Sequence, residues 1–430
     1  MKYCPRCGAR NADDALECIK CKGAIPNRNV AVADGHKEIP FAVRERSEVK
    51  EVTPSAAEST SAEHSATPSV PHEAKRGVFK KFFDWLNSYV GNTGPAELNW
   101  RSLFSAVVFP HTCDQAEDIF MVGTASTTPD PKTVSDTWPK PWLYSRVMLW
   151  ALLTYGLLYF MVSMFGASLV YPGFVVVGSF VAPIGILVLF VELNVWRNIS
   201  FYRVMGMFFI GGCSSLVATL VLSVLRSAEP SAEISYISAC CIGFTEEIAK
   251  AIIVLLYMKY SLRSPQRILN GMLVGAAVGA GFAAFESAGY AFRGIEIQAA
   301  LLRALVGAIT QNDGTAVQAI VANLENLNVI EFANEHIIGR GLLSPGGHVA
   351  WAAISGVAFS IIARTEHLKA AALWDGRFWR LALIPVILHA IWDMPFELPF
   401  YMKYIGLILG AWMVLLFLVN RGLSEVKRET

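Results

Sequence analysis

Charge is scarce in this chain. Only 17% of its 430 residues are Asp, Glu, Lys or Arg, against 54% hydrophobic residues, and the mean hydropathy is +0.43. That balance excludes an ordinary soluble protein and makes a bilayer the expected solvent. A secretory leader is also lacking, because Met1-Lys2-Tyr3-Cys4-Pro5 runs straight into a cysteine motif with no basic and then apolar start. The N-terminus is therefore expected to stay in the cytoplasm. There is no internal repeat of the kind that transporter halves show. No basic patch is present either, so no nucleic-acid partner is expected.

Cysteine is sparse but patterned. Of eight cysteines, four form Cys4-x-x-Cys7 and Cys18-x-x-Cys21, a paired spacing that closes a tetrahedral thiolate site around structural zinc. Gly8 and Gly23 follow the pairs and suit the tight turns that aim backbone amides at the sulfurs. Two disulfides would need an oxidising compartment, which the missing leader argues against. Residues 1–26 are thus expected to be a zinc ribbon, with a cytoplasmic protein as its partner. Cys113, Cys213, Cys240 and Cys241 are scattered and read as small apolar residues.

Residues 27–75, rich in Glu, Ser, Ala and Pro without any period, read as a disordered linker. Residues 76–142 form a juxtamembrane segment. Within it Val78, Phe79, Phe82, Phe83, Trp85 and Leu86 alternate with Lys80, Lys81 and Asp84, as in a helix lying in the membrane interface or one packed on a soluble surface. Eight apolar segments follow, at about 143–165, 172–192, 203–225, 233–257, 268–292, 345–363, 379–397 and 401–420. The expected fold class is an all-α polytopic membrane protein whose eight-helix domain spans 143–421, with a cytoplasmic tail at 422–430. Arg197, Arg203, Lys259, Arg263, Arg267, Arg364, Lys369, Arg377 and Arg380 fall in loops on the side of the ribbon, which puts both termini in the cytoplasm. The long opposite loop, 293–344, is expected to carry a short amphipathic helix.

Three of the spans are not clean. Glu246, Glu247 and Lys250 lie in the fourth, Glu286 in the fifth, and His389 and Asp393 in the seventh, while His348 opens the sixth. A formal charge at a helix centre costs roughly 2.5 to 3.5 kcal/mol, so five facing lipid would cost roughly 12 to 17 kcal/mol. They are expected to face one another. Lys250 is four residues from Glu246 and three from Glu247 and can pair with either, and His389 and Asp393 share a helix face. Gly271, Gly275 and Gly279 form a small-residue stripe that lets another helix approach closely. A carboxylate beside imidazoles can take a proton from water, and an acid or imidazole opposite can stabilise an oxyanion. Other hydrolase designs fail on the residues: there is no His-Glu-x-x-His, no Gly-x-Gly-Asp, and Ser355-Gly356 lacks a glycine two residues before the serine. A proton or ion pathway, or a structural core, uses the same residue types.

These motifs resemble the PrsW family of glutamic-type intramembrane proteases, relatives of the CAAX-prenyl and bacteriocin-processing peptidases, over about residues 100–420. Glu246-Glu247-Ile248-Ala249-Lys250 is similar to the family's Glu-Glu-x-x-Lys. Gly275 to Glu286, with Phe282, is similar to its glycine-rich helix ending in Phe-x-x-x-Glu, and His348 and His389-x-x-x-Asp393 to its two histidine motifs. The resemblance implies that Glu246 or Glu247 activates water, assisted by Glu286 and His348, while His389 and Asp393 polarise the carbonyl or hold the base. Glu246 is the preferred base, with Lys250 supporting Glu247. Relatives often carry Asn at the place of Asp393, so this residue would act protonated or by orienting His389. The implied substrate is a membrane-anchored protein or peptide, as in regulated proteolysis of an anti-sigma-type signalling protein, with no metal required for catalysis. The alternatives are a transporter or scaffold, and a peptidase that trims prenylated or leader peptides.

Overall fold

The computed structural model describes residues 2–3, 10–11, 72–92, 94, 98–225, 235–260, 267–366 and 374–429. The chain divides into two compact units, Met1–Pro68 and Ser69–Thr430. In the first, strands β1 (Lys2–Tyr3) and β2 (Arg10–Asn11) pair antiparallel. The four ribbon cysteines and the expected linker up to residue 71 lie outside the described residues.

The second unit is helical. It opens with α1 (His72–Tyr89), α2 (Ser102–Ser105) and α3 (Cys113–Phe120). Helix α3 starts at a capping box in which Thr112 and Gln115 satisfy each other's backbone N–H groups. Helix α1 begins inside the expected linker and serves two surroundings. Leu86 and Val90 are buried, and the Phe83 ring lies 6.0 Å from Phe417, while Phe79, Phe82 and Trp85 are exposed.

Long apolar helices come next: α4 (Leu143–Phe165), α5 (Tyr171–Leu193), α6 (Phe201–Gly206) running through a π turn into α7 (Gly212–Leu225), α8 (Tyr236–Tyr260) and α9 (Ile268–Thr310). The chain closes with α10 (Gly314–Asn326), α11 (Val329–Leu343), α12 (His348–Glu366), α13 (Gly376–Asp393) and α14 (Met402–Glu429). The 23 residues of α4 reach about 34 Å, enough for a hydrocarbon core of about 30 Å. Among the described residues six stretches are long and apolar enough to cross a membrane: α4, Ser168–Leu193, Phe201–Val224, α9, Val329–Ala363 and Pro399–Glu429. The protein is a multi-pass membrane protein. The other two expected spans, α8 and α13, form helices but are interrupted by charge. Glu246, Glu247 and Lys250 break the apolar run of α8, and Arg377, Arg380 and Asp393 that of α13.

Helices α9 and α12 form the centre. The apolar stretch of α9 is 94% buried, whereas that of α4 is 11% buried and turns Leu149, Trp150, Leu153 and Leu157 outward. The glycine stripe explains the centre. A Cβ on Gly275 would stand 2.0 Å from the Ala352 carbonyl oxygen, one on Gly271 2.3 Å from that of Gly356, and one on Gly279 2.4 Å from that of His348. Backbone therefore meets backbone along the α9–α12 seam, the close approach that small residues permit between helices in lipid.

One expectation fails here. The 293–344 segment is not a loop with one short helix, because α9 continues to Thr310, α10 follows, and α11 packs back on the bundle with Ala333, Asn334 and Ile337 buried. At 43 residues α9 is about 64 Å long. Residues 422–429 of the expected cytoplasmic tail are helical. Helix α14 runs on to Glu429 with Leu423, Glu425 and Val426 buried; Glu425 accepts the Ile268 N–H at 3.0 Å, and Arg267 pairs with Glu429 at 2.8 Å. This carboxylate at the start of α9 satisfies an N–H that the helix itself cannot.

Candidate active site

The ionisable residues of the spans converge from four helices. Glu246, Glu247 and Lys250 come from α8, Glu286 from α9, His348 from the first position of α12, and His389 and Asp393 from the last turns of α13. Two glycines bring the backbones close enough. Gly279 admits the His348 carbonyl, and Gly243 admits the backbone of Ala390, whose N would lie 2.8 Å from a Cβ.

The side chains form one continuous polar chain. Lys250, fully buried, donates to Glu247 Oε1 at 2.5 Å and to His348 Nδ1 at 2.8 Å. An ammonium can only donate, so His348 Nδ1 accepts and the ring proton sits on Nε2. That N–H meets Glu286 Oε2 at 2.9 Å, and the same oxygen accepts from Arg340 of α11. In the other direction His389 Nδ1 donates to Glu247 Oε1 at 2.8 Å, and its Nε2 faces Asp393 Oδ2 at 3.3 Å and Glu246 Oε2 at 3.7 Å. Aromatic rings enclose the charges: Lys250 Nζ lies 4.5 Å from the Phe282 ring centre and 5.7 Å from that of Trp351, and Trp351 stacks on His389 at 4.6 Å.

The two glutamates of α8 have different surroundings. Glu247 is 2% exposed and held by Lys250 and His389. Glu246 lines a cavity of about 430 Å³ together with Glu286, His348, His389 and Asp393, a size that ligand pockets share. Its Oε2 is buried and has no hydrogen-bond partner. Glu247 Oε2 is likewise buried without a hydrogen bond, so what separates the two glutamates is that Glu246 lines the cavity and Glu247 does not.

The sequence model of a family described as "PrsW family intramembrane metalloprotease" matches residues 195–419. The chain belongs to the PrsW family. No curated protein and no solved structure matches it. Membership makes this an intramembrane protease of the hydrolase class, with a bilayer around it and a membrane-embedded substrate. The matched region takes in α8, α9, α12 and α13, so every residue of the polar chain in this PrsW protein lies inside it.

The family's description names a metal, and ligand atoms of Glu246, His348 and His389 do lie within 4.8 Å of one another. The hydrogen bonds fit a cation poorly. His348 carries its proton on Nε2, towards Glu286, because Lys250 holds Nδ1; both nitrogens of His389 face carboxylates; and a buried ammonium already stands among the donors. A metal-ligating imidazole needs a free lone pair. Of these three residues, Glu246 is the one with a carboxylate oxygen that no hydrogen bond engages.

Arg340, Tyr290 and Trp351 were missed in the sequence. Arg340 falls in the 293–344 segment expected to be a loop, yet it lies against Glu286 with Tyr290 under its guanidinium at 4.5 Å. No local signal marked it, since its relation to Glu286 arises only when α11 folds back on α9.

Proposed function

We propose that this PrsW-family protein is an endopeptidase that cuts a peptide bond of a membrane-anchored substrate with water activated by Glu246. The observation that carries the reading is the contrast within the Glu246-Glu247 pair. Glu247 is enclosed by Lys250 and His389 and does not line the cavity, whereas Glu246 does. In the proposed reaction a water donates its proton to Glu246 as its oxygen adds to the substrate carbonyl carbon. His389 Nε2, oriented by Asp393, is the donor that polarises that carbonyl, and His348 with Glu286 lines the same cavity. The proton on Glu246 then passes to the leaving amine as the C–N bond breaks, which regenerates the carboxylate. Regulated proteolysis of a signalling protein of the anti-sigma type is the proposed setting. The N-terminal cysteines are proposed to hold one structural zinc and to present a module to a cytoplasmic protein.

A second reading, a cation held by Glu246, His348 and His389, is favoured by their mutual spacing and by the family's description. One set of preparations tests both. Membranes with the wild type and with Glu246→Gln are compared by proteomics, and the purified proteins are assayed for metal. Gln keeps the volume of Glu but cannot take a proton, so uncut substrate should accumulate at normal enzyme levels. Zinc should be near one per chain and vanish in Cys4→Ser/Cys7→Ser. Wild-type cleavage by Glu246→Gln sinks the base assignment. A metal that survives the cysteine changes and is lost with His389→Ala favours the second reading.

A further inference from the structure

We infer that Arg340 is a positioning residue of the site: from α11 it orients the Glu286 carboxylate, and through it the His348 ring, for hydrolysis. This rests on the protease reading above and adds a fifth helix to the machinery.

The guanidinium is held at three points on one stretch of α9. Its Nη2 donates to Glu286 Oε2, its Nε donates to Ser287 Oγ at 2.9 Å, and its plane lies over the Tyr290 ring. Arginine presents its donors in a rigid fork, so with Nε held by Ser287 the direction of the Nη2 donor that meets Glu286 is fixed. Glu286 Oε2 is the oxygen that also receives the His348 Nε2–H. Two donors on one oxygen set the carboxyl plane and leave Oε1 with no bond to a described residue. Without Arg340 the carboxyl group would turn about its last torsion with only the imidazole to hold it, and the His348 ring would lose its fixed acceptor.

Anchoring of α11 is provided elsewhere, which separates this role from mere docking. Tyr155 donates to Asn334 at 2.6 Å, Phe332 packs against Gly294, and Ala333 and Ile337 are buried. Arg340, by contrast, lines the cavity together with Gly339 and Leu343.

The test uses full-length protein in detergent and, as probe, the transmembrane segment whose cleavage distinguishes wild-type from Glu246→Gln membranes, made with a fluorophore and a quencher. Arg340→Ala should lower kcat at least about 10-fold, within the range that displacement of a reacting group by ~1 Å produces, while KM stays within about 3-fold. Arg340→Lys should recover part of the rate. The double variant Arg340→Ala/Glu286→Gln should be no slower than Glu286→Gln alone, since both changes remove one linked contact. Asn334→Ala serves as the docking control and should lower Tm with kcat unchanged. If Arg340→Ala behaves like Asn334→Ala, or if the double variant is slower by the product of the single losses, the positioning role is wrong. If the purified wild type does not cleave the probe at all, the protease reading itself falls, and if Glu246→Gln cleaves it as fast as wild type, the base assignment falls while the Arg340 comparison still stands.

Discussion

Lys250 is the residue on which the arrangement turns. It is fully buried, it is the cation nearest Glu247, and it decides which nitrogen of His348 carries the proton. Removing one partner of a buried pair leaves the other charge uncompensated, at a cost of about 3–5 kcal/mol. Lys250→Met is therefore expected to lower stability by about that amount and to abolish cleavage. Adding Glu247→Gln should recover most of the stability, because the stranded charge goes with it, but none of the activity. Thermal unfolding in detergent reads the first effect, and a single variant as stable as the wild type would show that the pair does not hold the site together. The same scale explains why the i, i+3 and i, i+4 spacings left two partners open for Lys250. Both carboxylates are within reach along one helix, and the choice of Glu247 follows from His348 and the two aromatic rings that other helices bring.

At the scale of elements, the α9–α12 seam sets the depth of His348 and so the span of the polar chain. A methyl group at Gly275 would stand 2.0 Å from a carbonyl oxygen of α12. Backbone cannot yield as a side chain does, and overpacking a core position costs typically about 1–3 kcal/mol. Gly275→Ala should lower Tm and also kcat, because α12 carries His348 outward with it. Gly289→Ala, on the same helix with nothing within 4 Å of where its Cβ would stand, should change neither. Equal Tm values for the two variants would mean that the seam adjusts freely.

For the whole molecule, the proposed orientation has both termini in the cytoplasm. Arg267, Lys427 and Arg428 cluster at the end where α9 begins and α14 finishes, while Asn312 lies in the turn between α9 and α10. A reporter fused after Arg428 should be active only in its cytoplasmic form, and one inserted at Asn312 only in its external form. External activity after Arg428 would reverse the molecule and place its cavity towards the other side.

The helical class, six of the eight expected apolar spans and the presence of ionisable residues inside the bundle were legible without coordinates, because each is local. Hydropathy is a property of a window, and a charge inside an apolar run is visible wherever the run goes. Even the glycine stripe announced a close helix neighbour. What the sequence by itself could not decide was which neighbour that is, which of Glu246 and Glu247 faces the cavity, and that Arg340, 54 residues from Glu286, completes the chain. Nor could it show that residues 293–344 are helices folded back on the bundle or that residues 422–429 continue α14 and cap α9. Those facts are distances between elements far apart in the chain. Only backbone contact between helices, allowed where side chains are absent and enforced where polar groups must meet inside an apolar solvent, settles them.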